Sequence, residues 1–354
     1  MPSASGERVF RVALTGDFYD ADGSPLYRDF GLNLLDAQPG IEYRAFNKHR
    51  PDIAAEQIGD AQGVIVLAAR VTAQSLSNSK NLLAVGRFGV GYDSVDVPAC
   101  TQSDVVLFIA AGAVDRPVAE ATVGWMLALS HHVRVKDRLV REGKWDERSR
   151  YMGTELRDRT LGIVGMGGIG RALVALLKSF GMNRPLVFDP FIDRDAAEHL
   201  GVELVSLDEL LSRADFVSLH CLLTEQTRNL IGARELARMK PRAFLINTAR
   251  GGIVDEDALY AALREGRIAG AAIDCFVDEP IRAPQRFAEF DNVLLAGHCI
   301  AWTEELFRDI GRTVCQGMID LAVGERPRGV VNPQVFQRPG FLEKWERLAI
   351  APVG

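Results

Sequence analysis

The feature that most constrains the fold is an alternation of short apolar runs with helical patterns along the 354 residues. The runs are rich in β-branched residues, and most are followed by a stretch long enough for a helix. Continuously apolar strands are typical of parallel sheets covered by helices on both faces. The alternation therefore predicts a doubly wound α/β protein. The four runs of a first group and six of a second lie at 9–14, 63–67, 82–86, 105–109, 161–165, 186–189, 216–220, 244–247, 269–274 and 293–295.

Two groups of runs predict two domains, since a single core seldom grows beyond about 250–300 residues. A helical pattern at 118–133 is expected to connect them. We assign the segment that opens with a long helical pattern at 303–323 to the first domain. The prediction is a discontinuous domain of residues 1–111 and 303–354, with a second domain of residues 112–302 inserted into it.

Charge and hydropathy disfavour two classes of partner. The 41 Lys and Arg residues against 47 Asp and Glu residues leave a net charge of −6, and no window collects enough basic residues to follow a nucleic-acid backbone. The longest apolar run, at 105–114, is half of the ~20 residues that a bilayer crossing needs. Because Arg8 and Arg11 interrupt the first apolar stretch, we expect no secretory leader and a cytoplasmic location. Neither nucleic acid nor a membrane is expected as a partner.

A glycine-rich turn follows the first run of the second group. Gly165 permits the tight turn, Gly167 lets the backbone approach a pyrophosphate, and Gly170 allows close packing of helix on strand. Asp189 ends the next run, where a carboxylate accepts hydrogen bonds from a ribose 2′-hydroxyl and repels a 2′-phosphate. The alternative is a plain turn with an ordinary surface aspartate. The intact order of strand, loop, helix, strand and carboxylate predicts a Rossmann domain that binds NAD(H) rather than NADP(H).

Three charged groups follow later runs of the same predicted sheet, namely Arg250, Glu279 and His298. Doubly wound sheets bind ligands at the carboxyl ends of their strands. A guanidinium binds a substrate carboxylate in fork geometry, an imidazole exchanges the proton that accompanies a hydride, and a carboxylate holds the imidazolium. Singly, each residue has an ordinary structural explanation. Together they predict oxidation of an alcohol beside a carboxylate.

With these segments in place, the chain resembles the D-isomer-specific 2-hydroxyacid dehydrogenases over nearly its whole length. The resemblance rests on the glycine loop, the three charged segments and further motifs at 85–93, 118–120 and 219–224. It implies a Rossmann NAD-binding domain inserted in a discontinuous flavodoxin-like substrate domain. It also implies a homodimer, for which the apolar residues Trp125, Met126 and Leu127 are expected to supply surface.

The resemblance further implies roles for individual residues. The catalytic set would be Arg250, Glu279 and His298, and the substrate would be held by Arg70, Val90, Gly91 and Arg250. The residues implied to bind NAD(H) are Gly165, Gly167, Gly168, Ile169, Gly170, Asp189, His220, Cys221, Thr227, Thr248, Ala249 and Asp274. The chain departs from the family's usual residues in having Gly297 and Leu222 for prolines and Cys275 for valine. None of these departures removes a chemical group.

No metal is predicted. The five cysteines are odd in number and contain no CxxC pair, which argues against a disulfide framework and a thiolate zinc site. Most are expected to be buried and reduced. For Cys299, beside the candidate histidine, we favour a small core residue, and a reactive thiol is the alternative. His131 and His132 fall inside the helical pattern at 118–133 and are expected to pack or face solvent. No ligand constellation is recognisable elsewhere.

Several alternatives stay open. The substrate is predicted to be a small D-2-hydroxy acid or its 2-oxo acid, with phosphoglycerate on one side and glyoxylate or hydroxypyruvate on the other. Formate dehydrogenases fit less well, because they resemble a pattern with Gln where Glu279 stands. A different class is an NADH-sensing protein like the corepressors that keep this fold. Arg116 either meets a substrate phosphate or, as we favour, faces solvent, and the apolar face at 341–348 packs on its own domain or on a partner.

Overall fold

The computed structural model describes residues 8–351 of the chain. They form two compact units. The first unit comprises residues 8–114 and 303–351, and the second is Asp115–Trp302. Residues 1–7, on which the prediction of no secretory leader partly rests, lie outside the described residues, as do 352–354 of the predicted C-terminal segment.

Residues 8–351 contain twelve strands and twelve α-helices. The strands are β1 Phe10–Leu14, β2 Ile41–Ala45, β3 Gly63–Val66, β4 Ala84–Arg87, β5 Val106–Ile109, β6 Leu161–Val164, β7 Leu186–Phe188, β8 Glu203–Leu204, β9 Phe216–Leu219, β10 Phe244–Asn247, β11 Gly270–Ile273 and β12 Val293–Leu295. The helices are α1 Asn33–Asp36, α2 Ala55–Ile58, α3 Val97–Gln102, α4 Asp115–Ser130, α5 Val133–Arg141, α6 Gly168–Leu177, α7 Arg194–His199, α8 Leu207–Arg213, α9 Ala233–Arg238, α10 Glu256–Arg264, α11 Glu304–Ala322 and α12 Pro339–Leu348.

The first unit is built on a parallel sheet in the spatial order β2-β1-β3-β4-β5. This is the flavodoxin-like order, as predicted. The apolar runs predict four of these strands but not β2. The missed strand lies at the sheet edge, where its residues alternate between half-buried and exposed, so it lacks the continuous apolar run of a central strand.

The long helix α11 packs directly on the centre of this sheet. A Cβ at Gly63 or Gly86 would collide with the Met318 side chain, so these two strand glycines allow the helix its close approach. Helix α12 then covers α11, with Trp345 buried and its Nε1 donating to the Leu321 carbonyl at 2.7 Å. The C-terminal helix therefore packs within its own unit.

The second unit holds a parallel sheet of seven strands in the order β12-β11-β10-β9-β6-β7-β8. Counted within the unit, this is the Rossmann order with a seventh strand added at one edge. The apolar runs predict six strands of this sheet, and the structure adds β8. That strand has two residues, both half-buried, and carries no apolar run. The predicted Rossmann domain is confirmed, and β8 is the one strand that the prediction lacks.

Both faces of the second sheet are covered. Neighbouring residues of the central strands enter two different apolar clusters, with Ile163 and Ile246 on one face and Val164 and Leu245 on the other. Successive strand residues point to opposite faces, so continuous apolar strands follow from burial on both sides. No helix among the described residues combines the length and the apolar character that a bilayer crossing requires.

Helix α4 corrects two expectations. It ends at Ser130, and His132 has a φ of +53°, so the two histidines form a break before α5 rather than part of one helix. Trp125 and Met126 are buried within the chain's own second unit, at 7% and 0% exposure. They pack against α6 and the sheet, and therefore do not supply the partner surface expected of them.

Candidate active site

Two glycines shape the turn between β6 and α6. Gly165 has a φ of +93°, in the left-handed region, and a Cβ there would approach the Cys221 amide nitrogen to 2.7 Å. A Cβ at Gly170 would lie 2.8 Å from the Gly165 carbonyl oxygen. The first glycine is required by both backbone conformation and crowding, and the second by crowding alone.

The next residues of the loop leave room for a ligand. A Cβ at Gly167 would meet no described atom within 4 Å, so the backbone at the α6 N-terminus is open to an approaching anion. Gly168 is constrained differently, because a Cβ there would overlap the Asp115 carboxylate in the first turn of α4. Burial raises the pKa of Asp115. Ile169 lies half-buried in the first turn of α6.

Asp189 joins the glycine loop to the end of β7. Its Oδ2 accepts a hydrogen bond from the Met166 amide at 2.7 Å, and its Oδ1 accepts one from the Phe191 amide at 2.8 Å. The carboxylate is half-buried and stands directly after the strand, as the sequence predicts. It therefore lies where a ribose on the glycine loop would present its hydroxyls.

Two buried polar atoms after neighbouring strands find no hydrogen-bond partner among residues 8–351. They are Nδ1 of His220, after β9, and Oγ1 of Thr248, after β10. The other ring nitrogen of His220 lies 2.9 Å from Ser218 Oγ, and burial lowers the pKa of this histidine to about 4, so the ring is neutral. A buried polar atom without a partner costs about 1–3 kcal/mol. Together with the open Gly167 backbone, these atoms fit a polar dinucleotide.

Other predicted cofactor residues hold loops at the same sheet edge. The Thr227 hydroxyl donates to the Leu222 carbonyl at 2.6 Å and accepts from the Thr224 amide at 2.7 Å, which closes the turn after β9. Cys221 crowds Gly165, and burial raises the pKa of its thiol to about 11. These contacts give both residues structural roles in the loops around the glycine turn.

Asp274 anchors the loop that carries His298. Its Oδ1 accepts hydrogen bonds from the amides of Cys299 and Ile300 at 2.9 and 3.2 Å, and its carbonyl accepts one from the His298 amide at 2.7 Å. Asp274 is 5% exposed, and burial raises the pKa of its carboxyl. The chain turns sharply there, since His298 has a φ of +56°.

His298 and Glu279 form a hydrogen-bonded pair. The imidazole Nδ1 donates to Glu279 Oε2 at 2.9 Å, and Glu279 Oε1 accepts from the Phe276 amide at 2.9 Å. Burial raises the pKa of Glu279, but the hydrogen bonds from His298 and Phe276 and the charges of His298 and Arg250 outweigh it, so the pKa is lowered overall. Because Nδ1 is committed to the carboxylate, Nε2 is the nitrogen left to exchange a proton with a substrate. The imidazole is 45% exposed.

Arg250 is set beside this pair by the end of β10. Its Nη1 donates to the Ala249 carbonyl at 2.7 Å. Asn247, 2% exposed, donates from Nδ2 to the Arg250 carbonyl at 2.8 Å and accepts from the Ala249 amide at 3.1 Å. Asn247 therefore positions the Arg250 backbone, a role that the sequence patterns do not predict. Its signal is a polar side chain at the end of an apolar strand.

Comparisons with known proteins place this geometry in a family. Residues 123–299 match the model of the D-isomer specific 2-hydroxyacid dehydrogenase NAD binding domain. A D-3-phosphoglycerate dehydrogenase of Methanocaldococcus jannaschii is 40% identical over 298 residues, which cover 83% of this chain and 56% of that protein. A glyoxylate reductase of Korarchaeum cryptofilum is 38% identical over 295 residues, covering 82% of this chain and 89% of that one. The chain belongs to the D-isomer specific 2-hydroxyacid dehydrogenase family.

The solved structures agree with this membership. The D-mandelate dehydrogenase of Rhodotorula graminis is 26% identical, with a TM-score of 0.78 and coverage of 91% of this chain and 98% of that one. The predicted family and NAD(H) as its cofactor are confirmed. The chain spans about half the length of the phosphoglycerate dehydrogenases that it matches.

The predicted substrate residues Arg70, Val90 and Gly91 lie in the first unit. Arg70 pairs with Asp52 through two hydrogen bonds, from Nε to Oδ1 at 2.5 Å and from Nη2 to Oδ2 at 3.1 Å. Val90 and Gly91 lie half-buried in the loop that follows β4. All three residues follow strands of the first sheet, in the loops after β3 and β4.

Proposed function

We propose that the chain is an NAD(H)-dependent dehydrogenase that interconverts a small D-2-hydroxy acid and its 2-oxo acid. The observation that carries the proposal is the Glu279–His298 pair, 2.9 Å apart, beside Arg250 at the carboxyl edge of the NAD-binding sheet. A dehydrogenase of this kind needs a proton-exchanging group, a group that stabilises its protonated form and a cation for the substrate carboxylate. These three side chains supply them.

The chain's own residues account for the proton. When bound, NAD supplies the hydride acceptor or donor. In the oxidative direction, His298 Nε2 takes the hydroxyl proton while Glu279 stabilises the imidazolium through Nδ1. Arg250 binds the substrate carboxylate, and Asn247 holds the backbone of that arginine. The reductive direction reverses the proton transfer.

The first unit is proposed as the substrate domain, with Arg70 and the backbone of Val90 and Gly91 as its contacts. The family resemblance supports these roles. Asp52 already occupies the Arg70 guanidinium in fork geometry, so a substrate carboxylate would have to share or displace it. The two side chains are 62% and 51% exposed to solvent. An exposed ion pair contributes little free energy, so replacing Asp52 by a substrate carboxylate costs little.

The substrate is proposed to be glyoxylate, hydroxypyruvate or phosphoglycerate, since relatives at 38–40% identity carry the names of a glyoxylate reductase and a phosphoglycerate dehydrogenase. Arg116 gives no support to a phosphate. It pairs with Glu120 at 2.6 Å one turn along α4, and both side chains are largely exposed, which favours the solvent-facing alternative.

The test is the loss of NADH absorbance with glyoxylate, hydroxypyruvate, pyruvate and bulkier 2-oxo acids, with phosphoglycerate and NAD⁺ assayed in the oxidative direction. His298→Ala should lower turnover by ~10²-fold or more while NADH still binds. His131→Ala, at an exposed histidine outside the site, is the matched control. No turnover on any substrate despite tight NADH binding would favour the NADH-sensing alternative.

A homodimer is proposed as the working form. Exposed apolar side chains in and after α5 support a partner surface, including Val133, Val140, Trp145 and Met152, which are 51–81% exposed. A solution mass near twice 38.8 kDa is expected from light scattering. A mass near 38.8 kDa would contradict the dimer.

A cytoplasmic location is also proposed. Its support is that all five cysteines are free thiols. Fractionation of the source cells tests it, and recovery of the protein outside the cytoplasm would contradict it.

A further inference from the structure

Three ligand-bearing side chains of different chemistry meet at the proposed catalytic pair. One ligand atom from each of Cys275, Glu279 and His298 lies within 4.8 Å of the other two. Cys275 follows β11 and is 1% exposed, with its Sγ donating to the Ala249 carbonyl at 3.3 Å. The other two side chains are 35% and 45% exposed, so the group is open on their side.

These are the ligand types that zinc prefers. Zn²⁺ binds thiolate sulfur, imidazole nitrogen and carboxylate oxygen, and three protein ligands leave a fourth position for water. Two ligand atoms on one tetrahedral zinc lie roughly 3.3–3.6 Å apart, as the usual bond lengths require. Glu279 Oε2 and His298 Nδ1 are 2.9 Å apart. The Cys275 sulfur lies within 4.8 Å of a ligand atom of each, so it would move by little more than an ångström to reach such a spacing.

We propose that Cys275, Glu279 and His298 form an inhibitory site for a thiophilic divalent cation, with Zn²⁺ the best fit. The ion binds the Cys275 sulfur in place of its proton, which passes to solvent. The nitrogen 2.9 Å from Glu279 is Nδ1, so its hydrogen moves to Nε2 when the ion binds there. Nε2 then has no lone pair to take a substrate proton, and Glu279 is held by the ion instead of the imidazole. The inhibitory consequence rests on the proposed dehydrogenase function, whereas the binding of the ion does not.

This chain has Cys275 at a position where the family that it resembles commonly has valine. Without the thiolate, an imidazole and a carboxylate remain, which make a weaker zinc site. The nearby guanidinium of Arg250, whose charge lowers the pKa of Glu279, opposes a cation. We therefore expect reversible binding that a chelator removes, rather than a permanently held structural ion.

The binding test uses Co²⁺ as a spectroscopic probe on the full-length chain. Wild type should show a thiolate-to-cobalt absorption band that Zn²⁺ abolishes by competition. Cys275→Val should lose that band, and Cys275→Ser serves if the valine variant folds poorly. Cys299→Ser is the matched control, because Cys299 is the exposed cysteine beside His298 and lies outside the three-residue group. A band that survives in the Cys275 variants, or disappears in the Cys299 variant, would overturn the proposal.

Inhibition is measured separately, with each variant compared to its own uninhibited rate. Zn²⁺ should inhibit wild type and Cys299→Ser alike, and EDTA should restore both. Cys275→Val should need at least tenfold more Zn²⁺ for the same inhibition, and equal sensitivity would overturn the inhibitory role. If wild type turns over no substrate, the function proposed above fails, while the cobalt band still decides whether the metal site exists.

Discussion

The glycine loop and the Arg250–Glu279–His298 cluster lie at the same edge of one sheet but are built in different ways. The loop is six consecutive residues whose shape follows from φ angles and missing side chains. The cluster draws on three segments, and its hydrogen-bonded pair is 19 residues apart in sequence. The loop is therefore local in origin and the cluster depends on strand register. Damage to the loop should weaken cofactor binding, and damage to the cluster should slow turnover.

The largest expected effect comes from Glu279→Gln, which removes the charge that stabilises the imidazolium. The amide oxygen can still accept from the Phe276 amide, so the loop should stay in place. We expect turnover to fall by roughly 10²-fold, with the dissociation constant of NADH unchanged. Steady-state rates and NADH fluorescence titration measure the two quantities. An equal loss in both would show that the two regions do not act separately.

Two glycine variants separate the requirements of folding and binding within the loop. Gly165→Ala should lower the free energy of unfolding by about 2 kcal/mol or more, because φ is +93° and the added Cβ meets the Cys221 backbone at 2.7 Å. Gly167→Ala has space in the protein, so its stability should change by about 0.5 kcal/mol at most. Its NADH dissociation constant should rise roughly tenfold if the backbone approaches a pyrophosphate there.

Denaturant unfolding and NADH titration check both variants. Gly124→Ala on α4, where a Cβ also meets nothing within 4 Å, is the control and should bind NADH normally. Normal NADH binding by Gly167→Ala would show that the loop backbone does not contact the cofactor.

The buried His220 predicts a pH dependence on the cofactor side of the comparison. Its pKa is about 4 in the folded chain against 6.5 when exposed, so the unfolded state binds the extra proton first as pH falls. The stability is complete above about pH 6.5 and should decline by roughly 2–3 kcal/mol toward pH 4. His220→Gln should lose this part of the decline, whereas the exposed His199→Gln should keep it. The free energy of unfolding is measured at a series of pH values. The same decline with falling pH in wild type and His220→Gln would refute the role of His220.

The smallest expected effect is on coenzyme choice. Asp189→Ala should reduce the preference for NADH over NADPH roughly tenfold, about 1.4 kcal/mol, because the repelling carboxylate is removed. Asp189→Asn keeps an oxygen for the Met166 amide while losing the charge, so it separates the electrostatic role from the structural one. Competition titrations with both coenzymes measure the ratio. An unchanged NADH-to-NADPH preference in both variants would show that Asp189 only holds the glycine loop in place.

Sequence patterns predicted the central strands better than the edges. Buried strands such as β6 and β10 are continuous apolar runs, whereas β2 and β8 lie at sheet edges and lose that signal. The apolar spacing predicts one helix through His132, but a single left-handed residue there ends the helix without changing that spacing. Trp125 is buried on its own sheet and not on a partner, a distinction that an apolar residue in the sequence does not carry.

The sequence by itself determined the two parallel-sheet domains, the glycine turn and the types of charged group at the site. Each of these depends on neighbouring residues, through apolar periodicity, backbone freedom or the chemistry of one side chain. Only the tertiary structure decided that Asn247 holds Arg250, that Asp274 anchors the His298 loop and that Cys275 lies close to Glu279 and His298. Those contacts join segments far apart in the chain, and their distances follow from the register of β10, β11 and β12 and the paths of the loops after them.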